Sequence, residues 1–209
     1  MARRLQQAGH TVHAWNRTQS KADPLAALGI AVHATVAEAV RQADIVVSLL
    51  ENGPAVEHVL FHAGAAQAMR PGTLFIDMAS IQPREARDHA ARLGEMGLAH
   101  LDAPVSGGTV GAENGTLAIM AGGRAEDFAR AQPVFAALGR ATHVGPHGSG
   151  QLAKLANQMI VGITIGAVAE ALLFAAKGGA DMARVREAIQ GGFADSRILQ
   201  LHGQRMVDR

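Results

Sequence analysis

From Thr11 to Val144 the chain alternates short strand-like runs with helical stretches, and glycines mark many of the joints. Asp44–Leu50 (DIVVSLL) and Thr73–Met78 (TLFIDM) are nearly continuous apolar runs, which is how a strand reads when both of its faces are covered. Thr11–Asn16, Ala31–Ala34, Ala99–Ala103, Leu117–Ala121 and Ala141–Val144 complete the predicted strands. Helical periodicity covers Lys21–Leu28, Val36–Gln42, Pro54–Phe61, Ala63–Met69, Pro83–Met96 and Ala125–Leu138. Met1–Ala8 reads as the tail of a helix closed by Gly9. Strand-helix-strand alternation with short connections leaves one economical architecture, an α/β fold with a doubly wound, mostly parallel sheet.

After Gly145–Gly150 (GPHGSG) the pattern changes. No strand signal follows Gln151; a long apolar helix leads to two shorter helical stretches, Met182–Gln190 and Ser196–Val207. We therefore expect a sheet domain over residues 1–147 and an all-helical domain over 148–209. Met159–Ala176 is as long as the shortest membrane-spanning helices, but Glu170 interrupts it and Lys177 closes it. A helix buried on most faces, in a core or a subunit interface, is the expectation, with no membrane partner.

Composition narrows the chemistry. The 209 residues carry Lys+Arg 19 against Asp+Glu 18, so no field draws the chain to nucleic acid. With 48% hydrophobic residues it can bury a full core. The absence of cysteine excludes disulfides, a thiol nucleophile and thiolate zinc sites from these residues. MARRLQQAGH is basic but lacks the apolar stretch of a secretory signal, so the expected location is the cytoplasm. Of ten histidines only His58 and His62 have i,i+4 spacing, without the carboxylate pattern of a metal site.

Three constellations can carry chemistry. Asn16-Arg17-Thr18 follows a strand at the place where a dinucleotide fold reads the ribose; the arginine fork suits a 2′-phosphate, and a plain turn with a helix cap is the alternative. Asp102–Gly108 (DAPVSGG) ends a strand in a two-glycine turn, either an anion-binding nest with Ser106 as donor or an ordinary tight loop. Lys154 has Asn157 at i+3 and Gln158 at i+4 on one helix face. In a partly buried cleft its ammonium is poised to exchange a proton; the alternative is a solvated lysine near a helix start. Asp77 and Asp102 each end a strand, but their distance in sequence does not make them a pair.

WNRT (Trp15–Thr18), IDMASI (Ile76–Ile81), LDAPVSGG (Leu101–Gly108), GTLAIMAGG (Gly115–Gly123) and the G-x-G-Q-x-x-K-L-A-N-Q stretch ending at Gln158 occur in that order. With AEALLFAAKGGAD (Ala169–Asp181) and GGFADS (Gly191–Ser196), they resemble the β-hydroxyacid dehydrogenase family over essentially the whole chain. The resemblance implies a Rossmann-like nucleotide-binding domain, then a helical domain whose long helix packs in a homodimer or homotetramer. It implies hydride transfer between NADP(H), with NAD(H) second, and a small carboxylate-bearing β-hydroxy acid or semialdehyde of the tartronate semialdehyde/glycerate or 3-hydroxyisobutyrate class.

By the same resemblance Lys154 is the general acid/base, Ser106, Gly107 and Gly108 hold the substrate carboxylate, and Asn157 and Gln158 orient substrate and lysine. Asn16, Arg17 and Thr18 match the adenosine-ribose site, while Leu49, Leu50 and Ser80 match positions along the pyrophosphate and nicotinamide. The chain departs from the family pattern at three points. The first strand with its glycine turn and the later helices with a second lysine are not in it, and Glu51 stands where proline is usual. Two other readings follow from these departures and the shared architecture: an impaired fragment or non-catalytic assembly module, and an imine reductase. The retained lysine and D-A-P-V-S-G-G run count against the second.

Overall fold

The computed structural model describes residues 1–208 in two compact units, one ending at Lys154 and one starting at Leu155. The first unit opens with α1 (Ala2–Gln7), β1 (His13–Ala14), α2 (Gln19–Ala22), β2 (Ala31–Val32), α3 (Val36–Val40), β3 (Ile45–Ser48), α4 (Gly53–Glu57) and α5 (Ala65–Ala68). It continues with β4 (Leu74–Asp77), α6 (Pro83–Glu95), β5 (Ala99–Asp102), β6 (Val105–Ser106), α7 (Gly108–Asn114), β7 (Leu117–Gly123), α8 (Ala125–Leu138), β8 (Gly139–Gly145) and the start of α9 (Ser149–Lys177).

Strands β3, β4 and β5 run parallel and in register, and β8 runs parallel to β7; β7 is antiparallel to β5 and β6. All four residues of β4 are buried, and its side chains alternate between two cores. Phe75 packs with Val56, Leu60 and Leu93, beneath α4 and α6. Leu74 and Ile76 pack with Leu101, Ile119, Phe135 and Leu138, beneath α8. A sheet covered on both faces is the predicted doubly wound arrangement.

Local chemistry explains the helix limits. Glu85 accepts the Gln82 N–H at 2.8 Å and Pro83 occupies the first turn of α6, while Thr35 and Glu38 cap α3 reciprocally. Gly29 stops its segment at φ 78°. The predicted helix over Lys21–Leu28 is α only as far as Ala22; Asp23–Leu28 tightens into a 3₁₀ helix around Pro24, which has no N–H to give.

Three expectations change. β1 and β2 are two residues each and form a separate two-stranded sheet, shorter than the runs read from Thr11–Asn16 and Ala31–Ala34, because a ladder of two strands gains little support. β3 is only half-buried, since it pairs on one side alone, with β4. The Asp102–Gly108 turn holds the short strand β6, and its last glycine opens the helix α7, which the sequence pattern does not announce.

The second unit contains the remainder of α9, then α10 (Met182–Ile189) and α11 (Gln204–Val207), around a small core of Val168, Leu172 and Leu199. Asp181 caps α10 by accepting the Arg184 N–H at 3.0 Å. Helix α9 has 29 residues and an apolar window of mean hydropathy 2.1, long and apolar enough to cross a membrane. Only 11% of that window is buried, so the expectation of a helix covered on most faces is not met within these residues. Met159, Ile160, Ile163 and Phe174 are exposed, an apolar surface that calls for cover from outside this chain's described residues.

Candidate active site

In the first unit the predicted residues follow the carboxyl ends of parallel strands. Asn16–Thr18 come after β1, Leu49 and Leu50 after β3, and Ser80 after β4; Ser106 ends β6, just beyond β5. In an open α/β sheet this is the end at which ligands bind, because the loops there are free of the ladder and can converge.

Lys154 meets the Asp102–Gly108 segment directly. Its Nζ donates to the Val105 carbonyl at 2.8 Å, next to half-buried Ser106 and the exposed Gly107 and Gly108. Burial pushes the Lys154 ammonium below the usual lysine range. The two glycines have φ of 135° and 62°, so the turn needs residues without a Cβ. A Cβ on Gly107 would stand 3.2 Å from the Leu117 side chain, whereas one on Gly108 would meet nothing within 4 Å.

The first turn of α9 is held by buried polar groups. Asp102 accepts the Gly148 N–H at 2.7 Å on one oxygen and the Gln151 N–H at 3.0 Å on the other. The Gln151 side chain donates to the Ala79 carbonyl at 2.9 Å and accepts the Ile81 N–H at 3.1 Å. His147 donates to the His100 carbonyl at 3.0 Å, which ties down the linker. Burial pushes Asp102 above its ordinary value, opposed by its N–H donors.

Asp77 and Asp102, too distant in sequence to be paired there, are in-register neighbours on β4 and β5. One Asp77 oxygen accepts from Ser48 at 2.9 Å and from the Ala79 N–H at 3.0 Å; the other is buried with no partner. Burial pushes Asp77 up to about 7, and the neighbouring Asp102 adds to the shift. Neither Gln151 nor the Val105 carbonyl is a site candidate from the sequence, and Asp77 and Asp102, each ending a strand, do not read as a pair there. The strands β4 (LFID) and β5 (AHLD) are equal in length and both end on aspartate, a signal that points to neighbours only once the two strands are known to pair in parallel.

The cofactor turn is built differently. The Asn16 side chain accepts the Thr18 N–H at 2.9 Å, and Thr18 precedes α2 without a side-chain cap bond. Arg17 is exposed and takes part in no ion pair or side-chain hydrogen bond among the described residues. An uncommitted guanidinium beside an ordered turn suits an anionic group. Leu49 is 55% exposed, an apolar side chain at the same end of the sheet as Ser80, which is also exposed. This donor set fits a nicotinamide dinucleotide. In the second unit the Asn157 amide donates to the Gln158 side chain at 3.0 Å, which leaves the Asn157 oxygen and the Gln158 NH2 outside that bond. Two surface hollows, one beside Arg70 and Arg130 and one beside Arg87 and His147, include no predicted site residue.

Residues 1–146 match the family described as the NAD binding domain of 6-phosphogluconate dehydrogenase. Residues 148–209 match the family described as the NAD-binding of NADP-dependent 3-hydroxyisobutyrate dehydrogenase. The chain is 46% identical to 2-hydroxy-3-oxopropionate reductase of Escherichia coli, over 100% of its own length and 72% of that protein. It is 37% identical to a probable 3-hydroxyisobutyrate dehydrogenase-like protein of Arabidopsis thaliana, spanning 63% of it. A solved structure of Mycobacterium tuberculosis 3-hydroxyisobutyrate dehydrogenase with L-serine superposes with a TM-score of 0.87 at 36% identity, covering 93% of this chain and 67% of that one. With both of its parts matched in order and its strand-end motifs in place, the chain belongs to the β-hydroxyacid dehydrogenase family.

Proposed function

We propose that this protein is an oxidoreductase that moves a hydride between NADP(H) and a small β-hydroxy acid or its semialdehyde, of the tartronate semialdehyde/glycerate or 3-hydroxyisobutyrate class. The observation that carries the reading is the Lys154 ammonium 2.8 Å from the Val105 carbonyl, at the lip of the Ser106–Gly108 turn. A proton-exchanging group and a turn suited to a carboxylate thereby share one edge. In this reading residues 1–147 bind the nucleotide and residues 148–209 complete the substrate site and form the oligomer.

The bound nicotinamide supplies or accepts the hydride. The protein's own part is acid–base and positional. Ser106 and the backbone of Gly107 and Gly108 hold the carboxylate, which aims the substrate oxygen at Lys154. Lys154 gives that oxygen a proton during reduction and takes it back during oxidation; its lowered affinity for the proton suits both directions. Asn157 and Gln158, one turn further along α9, orient the hydroxyl and the lysine. Asn16, Arg17 and Thr18 hold the adenosine ribose with its 2′-phosphate, and Leu49, Leu50 and Ser80 line the rest of the dinucleotide. The family described as NADP-dependent over residues 148–209 supports the cofactor preference, as does the free fork of Arg17. The E. coli relative's name supports the substrate class, and L-serine with the mycobacterial relative is itself a β-hydroxy carboxylate.

The test is a fluorescence titration with NADPH and, separately, NADH, followed by turnover assays on tartronate semialdehyde, 3-hydroxyisobutyrate and a cyclic imine. NADPH binding more tightly, with turnover of a hydroxy acid or semialdehyde, is the expected result. Tighter NADH would overturn the cofactor assignment, and turnover of the imine alone would overturn the substrate assignment.

A further inference from the structure

The carboxylate of Asp102 lies at the end of β5, in the same chain segment as the Ser106–Gly108 turn. Both of its oxygens are spent on N–H groups around the start of α9. Gln151, 1% exposed, then grips the Ala79–Ile81 loop after β4 with both ends of its amide. Glycine at 122 and 150 makes the approach possible. A Cβ on Gly122 would come within 2.7 Å of the Asp102 carboxylate, and one on Gly150 would collide with the carbonyls of Asp102 and Met120. Lys154 sits three residues beyond Gln151, and its only polar partner among the described residues is the Val105 carbonyl, again in the segment that Asp102 starts.

We propose that Asp102 and Gln151 are positioning residues that set the Lys154 ammonium against the substrate-carboxylate turn: Asp102 joins the turn's own strand to the first turn of α9, and Gln151 locks that turn to the loop after β4. The catalytic consequence rests on the reading of Lys154 as general acid/base. The geometric consequence does not. Two buried anchors, at Gly148 just before α9 and at Gln151 in its first turn, leave the start of the helix little freedom to slide or rotate, so the reach of Lys154 is decided one turn before the lysine itself. A displacement of about 1 Å in such a group lowers turnover by as much as a hundredfold.

The chain has three lysines, and Lys21 and Lys177 are exposed, so competitive acetylation read by peptide mass spectrometry gives Lys154 two internal references. Labelling is followed against pH in the wild type, Gln151→Ala and Asp102→Asn, with kcat and KM measured alongside. Gln151→Ala leaves both Asp102 bonds to backbone available, so it is the variant expected to fold if Asp102→Asn does not. In the wild type the Lys154 labelling midpoint is expected below the usual lysine range, because the group is partly buried. Either variant is expected to raise that midpoint and to lower kcat by about tenfold to a hundredfold. A Lys154 midpoint that stays at its wild-type position in Gln151→Ala overturns the proposal. Turnover that survives Lys154→Ala would instead sink the general acid/base reading, while the labelling still decides whether Asp102 and Gln151 place the lysine.

Discussion

Two pieces of the candidate site each follow the end of a strand, in two different sheets, and are held in opposite ways. The start of α9, from Gly148 to Lys154, is fastened to β5, to the loop after β4 and to β6 by bonds to buried groups, with Gly122 and Gly150 leaving no slack around it. The Asn16–Thr18 turn leans on the two-residue strand β1 and on one local bond from Thr18 to Asn16. Proton transfer needs an ammonium placed to a fraction of an ångström, whereas recognition of a 2′-phosphate needs a free fork that can follow its ligand. The difference teaches that rigidity is concentrated where chemistry demands it, and that substitutions in the two regions will be read by different instruments.

The largest expected effect is on turnover. Lys154→Ala removes the proton-exchanging group and should lower kcat by about 10²–10⁴-fold while the affinity for NADPH holds, because a general acid/base contributes on that scale. Nucleotide titration and steady-state kinetics on one preparation check it.

Next comes a stability effect in the rigid region. The Asp77 pKa is raised in the folded state, so the native chain binds the proton more tightly than the unfolded chain. The sign follows: between pH 4 and about 7 Asp77 makes stability fall as pH rises. Asp77→Asn removes that slope and can keep the acceptor for Ser48 and the Ala79 N–H. The melting temperature of the variant relative to wild type should therefore climb from pH 5 to pH 8, by a free energy on the order of a few kcal/mol. A difference that is flat across that range would show that Asp77 is ionised in the fold throughout.

Gly150→Ala tests the close fit itself. Its Cβ would meet backbone carbonyls of Asp102 and Met120, which cannot move aside as a flexible side chain can. A loss of about 1–3 kcal/mol is expected, seen as a lower melting temperature accompanied by lost activity. The smallest effect belongs to the open turn. Arg17→Ala should weaken NADPH about tenfold, leave NADH nearly unchanged and leave the melt where it was, since Arg17 is exposed. A drop in melting temperature there would mean that the turn is a structural element, and the contrast between the two regions would fail.

Much of this architecture was legible because it rests on local period. TLFIDM, the amphipathic run after Pro83 and the stretch from Ala125 to Leu138 each repeat long enough to announce β4, α6 and α8. Val105–Ser106 is too short to show any period, and the paired glycines that follow read as a turn while they in fact lead into α7. The Val105 carbonyl leaves no trace in a sequence at all, because every residue type carries the same backbone acceptor.

The sequence by itself determined the α/β alternation, the long apolar helix and the residue types that a carboxylate, a phosphate and a proton would meet, since these follow from periodicity and side-chain chemistry. The tertiary structure alone decided that Asp102 seats Gly148 and Gln151, that Gln151 grips Ala79 and Ile81, and that Lys154 reaches Val105. Those bonds join groups 46 to 72 residues apart, and only the parallel register of β4 and β5 brings the segments to one edge.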